Sequence, residues 1–166
     1  MEVRVHGRGG QGGVTCAKLL AGTWAQLGKS VQAFGDYSGE RSGAPVRAYL
    51  RVDDTPIVNR NKVYTPEHIL VLDRALLDDV SIAGLRPGGT VVVNTPESPA
   101  EVAAKFPGYR VATVDATAIA RKLGMGPETV KTHLKNVFAK LDVERRTQAV
   151  LRAEELGLVR ARSVLR

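Results

Sequence analysis

The 166 residues carry 24 Lys and Arg against 17 Asp and Glu, a formal net charge of +7, and 43% of them are hydrophobic. That length and apolar content support one compact domain with a small appendage and exclude a disordered chain, while the short, interrupted apolar runs predict a soluble, cytoplasmic protein without a membrane span. The single cysteine, Cys16, excludes an internal disulfide and any zinc or iron–sulfur site built from this chain's thiolates alone, and its apolar helical setting predicts a buried, inert thiol.

In chain order, Glu2-Val3-Arg4-Val5-His6 alternates apolar and polar residues and gives way to Gly7-Arg8-Gly9-Gly10-Gln11-Gly12-Gly13. This pattern predicts a half-buried strand running into a tight loop. The helix that follows is expected to bury the stripe Ala17, Leu20, Trp24 and Leu27 and to stop at Gly28. Further strands are predicted over residues 30–34, 46–52, 69–72, 90–93 and 110–114, and helices over 76–85 and 99–106. Turns are marked by Pro87-Gly88-Gly89 and Asn94-Thr95-Pro96. Strands alternating with helices predict an α/β fold for residues 1–115, an open and mostly parallel Rossmann-like sheet with helices on both faces.

After Asp115 the pattern is helical only. Residues 116–123 form a short helix, Gly124-Met125-Gly126 a turn, and residues 127–141 an amphipathic helix with Val130, Leu134, Val137 and Leu141 on one stripe. A last helix over residues 147–156 ends at Gly157, so residues 116–166 are expected to be a small all-helical segment. The excess positive charge sits there: residues 1–115 hold 13 Lys and Arg against 12 Asp and Glu, whereas residues 116–166 hold 11 against 5. An anionic partner and a solvated helical face both account for it.

Gly7, Gly9 and Gly12 fit GxGxxG between a strand and a helix, where backbone N–H groups and the positive end of a helix dipole cradle phosphate. Asp36 closes the next strand, about where a ribose-binding acid stands in a dinucleotide fold. The second loop, Gly35-Asp36-Tyr37-Ser38-Gly39-Glu40-Arg41-Ser42-Gly43-Ala44-Pro45, is as polar and glycine-rich as the first, and both belong at the carboxyl edge of the sheet. The expected site is therefore a ligand or subunit interface made of Gly7, Arg8, Gly9, Gly10, Gln11, Gly12, Glu40, Arg41, Gly43 and Arg47, not a private nicotinamide pocket. Arg8, Arg41 and Arg47 match phosphate and carboxylate geometry, although ordinary ion pairs, as between Arg41 and Glu40, are the commoner use of exposed arginines. Asp73 reads as a turn cap, with a place facing the interface as the alternative, His6 and His68 as packing residues without metal-ligand spacing, and no residue as a catalytic acid, base or nucleophile.

Taken together, Gly7-Arg8-Gly9-Gly10-Gln11-Gly12, residues 39–47, Pro56-Ile57, Val63-Tyr64-Thr65-Pro66 and Val71-Leu72-Asp73 resemble, in order and spacing, the gamma subunit of pyruvate (2-oxoacid):ferredoxin oxidoreductases. Residues 85–94 and 114–124 continue the resemblance, which covers about residues 1–124. It implies one subunit of an enzyme that decarboxylates a 2-oxoacid on thiamine diphosphate, passes electrons through iron–sulfur clusters to ferredoxin and delivers the acyl group to coenzyme A. In that family the thiamine and the clusters are held by other subunits, which agrees with a single cysteine here. The resemblance implies that this chain binds no cofactor alone, is inactive alone, and meets ferredoxin only indirectly.

About residues 117–159 resemble instead the helix-turn-helix of LuxR-type regulators, through Ala118-Ile119-Ala120-Arg121-Lys122-Leu123-Gly124, residues 127–137 and Arg146-Thr147-Gln148-Ala149-Val150. The apolar stripe of the helix over residues 127–141 leaves Lys131, Thr132, Lys135 and Asn136 outward, a set that contacts phosphates and base edges. The long first helix of such a domain is missing, its place taken by the strand over residues 110–114. The resemblance thus implies at most weak, salt-sensitive DNA binding, and a DNA-binding regulator with a gamma-like sensor or dimerisation domain stands as the alternative function.

Overall fold

A computed structural model of the chain describes residues 1–37 and 43–124. The chain divides into two units, Met1–Ala116 and Thr117–Arg166, of which the second is described only to residue 124. In the first unit, β1 (Glu2–Arg8) leads into helix α1 (Gly13–Gln26), then β2 (Ser30–Tyr37) and β3 (Pro45–Asp53). After a long ordered segment come β4 (His68–Val71), a 3-10 turn (Arg74–Leu76), α2 (Asp79–Ile82), β5 (Thr90–Asn94), α3 (Pro99–Ala103) and β6 (Arg110–Val114), and α4 (Ala116–Lys122) follows. Among the described residues no helix is long and apolar enough to cross a membrane.

The strands form one six-stranded sheet in the order β2-β3-β1-β4-β5-β6. β1, β4, β5 and β6 pair in parallel, whereas β3 runs antiparallel to both of its neighbours, β1 and β2. The sheet read as mostly parallel is thus a mixed one, parallel from β1 to β6 and antiparallel at β3. The reason is connectivity: only residues 38–44 lie between β2 and β3, too short a connection for the crossover that a parallel pair needs, so the two strands pair antiparallel. β1-α1-β2 is a crossover, and β3 returns into the gap between its two strands.

Alternation assigns the core. Odd-numbered Val3 and Val5 of β1, with Ala48, Leu50 and Val52 of β3, pack on Ala17 and Ala21 of α1. On the opposite face Ile69, Val71, Val91 and Val93 pack with Leu77, Leu85, Val102 and Phe106. Helices therefore lie on both faces, as read from the sequence. The buried stripe of α1 differs from the expected one, because the small Ala17 and Ala21, with half-buried Val14 and Trp24, face the sheet while Leu20 and Leu27 are 39% and 66% exposed. Two alanines four residues apart let the helix axis approach the strands. The helix does end where expected, with Gly28 at φ 78°.

Local capping sets the short helices. Ser98 and Glu101 form a reciprocal capping box at α3, with Pro99 as the first helical residue. Asp78 and Ser81 do the same at α2, and this new cap splits the helix expected over residues 76–85 into a 3-10 turn and one α turn. Gly84 ends it with φ 78°, and a Cβ there would stand 2.1 Å from the carbonyl oxygen of Tyr64.

The even-numbered face of β1 is polar yet buried. Arg4 donates through Nε to Nε2 of His6 (3.0 Å) and through Nη2 to the carbonyls of Ser81 (2.9 Å) and Ala83 (2.7 Å), which ties β1 to α2. Arg51 of β3 binds Glu2, Gln32 and the carbonyls of Asn61 (2.6 Å) and Lys62 (3.0 Å), which pins the segment between β3 and β4 across the same face. Burial, reinforced by the charges of Arg4 and Arg47 and opposed by Asp78, lowers the His6 pKa from 6.5 to about 4.

The unfolded chain therefore protonates at His6 before the folded one. Stability from this residue is complete above about pH 6.5 and falls as pH drops towards about 4, by roughly 3 kcal/mol in all. Urea midpoints measured across that window should decline with falling pH in the native chain and much less in His6→Gln. An equal decline in the variant would refute the assignment.

Candidate ligand and subunit interface

The two glycine-rich loops meet at the carboxyl edge of the sheet. Gly9 N–H donates to Ala44 O (2.9 Å) and Gly43 N–H to Gly9 O (3.3 Å), so backbone alone laces the loop after β1 to the residues before β3. Arg8, the last residue of β1, spans the edge: Nε donates to Asp73 Oδ2 at 2.6 Å and Nη1 to Gly43 O at 3.3 Å. Gln11 folds back, its side-chain oxygen accepting the Arg8 N–H at 2.8 Å, while its own N–H donates to Arg8 O at 3.0 Å. Asp73 also caps the 3-10 turn by accepting from Ala75 N–H. The Arg8 guanidinium, the Ala75 N–H and Gln11 together hold the Asp73 carboxyl below its ordinary range.

The helix start held in this frame has no side-chain cap. Gly12 caps α1 in the left-handed region (φ 82°) without a side-chain bond, and the first turn carries no acidic residue. Cys16 N–H returns to Gly12 O, but the N–H groups of Gly10, Gly12, Gly13, Val14 and Thr15 have no acceptor among the described residues. Gly10 (φ 93°) and Gly12 have nothing within 4 Å of where a Cβ would stand, so these glycines are there for their backbone conformation and not for close packing. Cys16 is half-buried, not buried as expected, and burial pushes its thiol pKa up, away from reactivity.

Of the residues read as a site, Gly7, Arg8, Gly9, Gly10, Gln11, Gly12 and Gly43 are brought together. Arg47 is elsewhere: it is exposed on β3, in the cross-strand row His6–Arg47–Asp36. Glu40, Arg41, Lys131, Thr132, Lys135 and Asn136 lie outside the described residues. Asp36 binds Lys62 (2.7 Å) and Tyr49 OH (3.4 Å), and β3 stands between it and the glycine loop. That placement removes the ribose-binding role a dinucleotide fold would give it. Asp73 does more than its reading as a cap, since it is also the partner of Arg8; a lone acid after an apolar strand gave no sign of that partner. Among the described residues no cluster of His, Cys, Asp and Glu is placed to hold a metal. A cavity of about 480 Å³ at the opposite, amino edge is lined by Glu2, Arg51, Glu67 and Arg86, whose charges are paired with one another: Arg86 with Glu67 and Glu2, and Arg51 with Glu2.

Residues 2–155 match the family model described as pyruvate ferredoxin/flavodoxin oxidoreductase. The chain belongs to this family. It is 46% identical over 144 residues to the common gamma subunit of the pyruvate/ketoisovalerate oxidoreductases of Thermococcus kodakarensis, covering 84% of this chain and 77% of that one. Pyruvate synthase subunit PorC of Methanosarcina barkeri is 43% identical, over 83% of this chain and 75% of its own. The crystal structure of pyruvate oxidoreductase subunit PORC from Thermotoga maritima superposes with a TM-score of 0.65 at 32% identity, covering 94% of this chain and 84% of that one. The family is one of multisubunit oxidoreductases, and this chain is a subunit of the gamma type. Its match extends past residue 124 and takes in most of the segment that resembles a LuxR-type helix-turn-helix.

Asp73→Ala removes both the Arg8 partner and the cap of the 3-10 turn, and is expected to cost about 1 kcal/mol, since a partly exposed pair adds little to a lost cap. Because the folded carboxyl has the lower pKa, this contribution is present above the ordinary carboxylate range and is lost as pH falls through the folded value. Denaturant titration at pH 7 and pH 3 checks both statements.

Proposed function

We propose that this chain is the gamma subunit of a 2-oxoacid:ferredoxin oxidoreductase and that its glycine edge receives the phosphates of coenzyme A where the subunits meet. The observation that carries the reading is the uncapped start of α1, with five N–H groups lacking an acceptor among the described residues and open space before two left-handed glycines. Such a helix start attracts phosphate through its N–H groups and its dipole. In the reaction a 2-oxoacid loses carbon dioxide, two electrons pass to ferredoxin, and the remaining acyl group is joined to the thiol of coenzyme A. Thiamine diphosphate would supply the carbanion chemistry and iron–sulfur clusters the electron path, from other subunits. The residues of this chain do not fit a cluster: there is one cysteine in the sequence, and it is half-buried on α1.

The role left to this chain is positional. Arg8, held by Asp73 and Gly43, anchors the loop, and a fixed donor set costs little reorganisation when an anion arrives. A 2-oxoglutarate:ferredoxin oxidoreductase from Magnetococcus marinus, with coenzyme A and succinyl-CoA bound, shares the fold with a TM-score of 0.62 at 17% identity; this chain spans 30% of it. That likeness concerns the fold, and the coenzyme A assignment rests on the loop geometry. The match through residue 155 favours an oxidoreductase tail over a regulator, and the DNA-binding alternative has no further support.

Gly12→Val in the reconstituted enzyme should raise the KM for coenzyme A by about tenfold or more, the loss of a charge-assisted hydrogen bond or two. Gly28 makes the control, since it has the same backbone conformation (φ 78°) and open surroundings but sits at the other end of α1. Gly28→Val should cost similar stability, roughly 1–2 kcal/mol, and leave that KM alone. Equal effects of the two variants would refute a ligand role for the loop. The purified chain should in addition be colourless and free of iron and thiamine, and a stoichiometric cluster would exclude the assignment.

A further inference from the structure

Three arginines share one face of the sheet. Arg4, His6 and Arg8 alternate along β1, and the antiparallel register sets Tyr49, Arg47 and Pro45 of β3 opposite them. Arg47 is therefore the diagonal neighbour of both Arg4 and Arg8, at about 7–8 Å across the strands. Of the three, Arg8 has an acid, Asp73. Arg4 is 7% exposed and bonds to two carbonyls and the neutral ring of His6. Arg47 is exposed and, among the described residues, makes no hydrogen bond or ion pair. Asp36 stands opposite it on β2, but that carboxyl is taken by Lys62 and Tyr49. Like charges on a cross-strand diagonal repel, more strongly where one of them is buried, and the charge of Arg47 lowers the pKa of Arg4 and of His6. A local rule broken without a compensating contact marks a functional position.

We propose that Arg47 binds the 3′-phosphate of coenzyme A and makes the site selective for the fully phosphorylated carrier. The inference rests on the glycine edge as the place where the diphosphate of the same molecule lies. Arg8 joins the two positions, because it ends β1 at the glycine loop and is next to Arg47 on the face away from α1. In coenzyme A the diphosphate and the phosphate monoester leave one ribose from different carbons. The diphosphate meets the N–H groups at the start of α1, and the monoester turns over the carboxyl edge to Arg47. A dianionic monoester matches the fork of a guanidinium, and its charge offsets the repulsion between Arg47 and Arg4.

Calorimetric titration of the assembled enzyme with coenzyme A and with 3′-dephospho-coenzyme A tests this. The native enzyme should bind coenzyme A more tightly than the dephospho form. Arg47→Gln should weaken coenzyme A by about tenfold and leave the dephospho form unchanged, which abolishes the preference. Arg47→Lys, which keeps the charge without the fork, should retain part of it. Without ligand, Arg47→Gln should melt no lower than the native enzyme, since the substitution relieves repulsion on Arg4. A native enzyme without preference would overturn the inference, as would an Arg47→Gln variant that loses affinity for both ligands equally or for neither. Gly12→Val should weaken both ligands alike; no effect on either would remove the glycine-edge reading, and this inference with it.

Discussion

A guanidinium buried at the middle of a sheet has to be given acceptors, and where Arg4 finds them shapes much of this fold. Both sides of β1 are enclosed, so the charge on Arg4 has no water to fall back on; burial and the nearby Arg47 lower its pKa. Its acceptors are the carbonyls of Ser81 and Ala83 and the ring of His6. The two carbonyls lie at and just after the end of α2, where a helix of one turn has carbonyls to spare. His6 in turn must stay neutral to accept, and its depressed pKa records that requirement. Removing one member of such a set would leave a buried polar group unpaired, which costs more than the bond itself contributed.

The same strand carries the site. β1 ends at Arg8, and because β3 on one side and β4 on the other fix its position, Arg8 reaches Gly43 and Asp73 at once. The glycine loop is therefore tied to the residues on either side of it and to Asp73. Its glycines serve conformation more than close packing, and what they expose is backbone N–H, the least selective and most rigid of anion receptors.

Much of this was legible in the sequence, since the strands, the glycine loop and the stop at Gly28 all follow from local chemistry that tertiary contacts then reinforce. Pairing direction was less legible, because a run of strand signals says nothing of the order in which strands lie side by side. The stripe of α1 was misread because Leu20 and Leu27 outweigh Ala17 and Ala21 in hydrophobicity, although close approach to a sheet favours the smaller pair. Arg4 and Arg51 were missed for a related reason: alternation marks polar residues as solvent-facing, and nothing local announces that a pinned segment and α2 will cover them. The Arg8–Asp73 pair is 65 residues apart and left no local trace.

The central claim is that the start of α1 is an anion receptor at the subunit junction. Amide hydrogen exchange of the assembled enzyme with and without coenzyme A tests it most directly, because it reads the N–H groups themselves. The account predicts slower exchange at Gly10, Gly12, Gly13, Val14 and Thr15 on adding coenzyme A, with Gly28 unchanged. Unaltered exchange across the glycine loop while coenzyme A is bound elsewhere in the complex would contradict it.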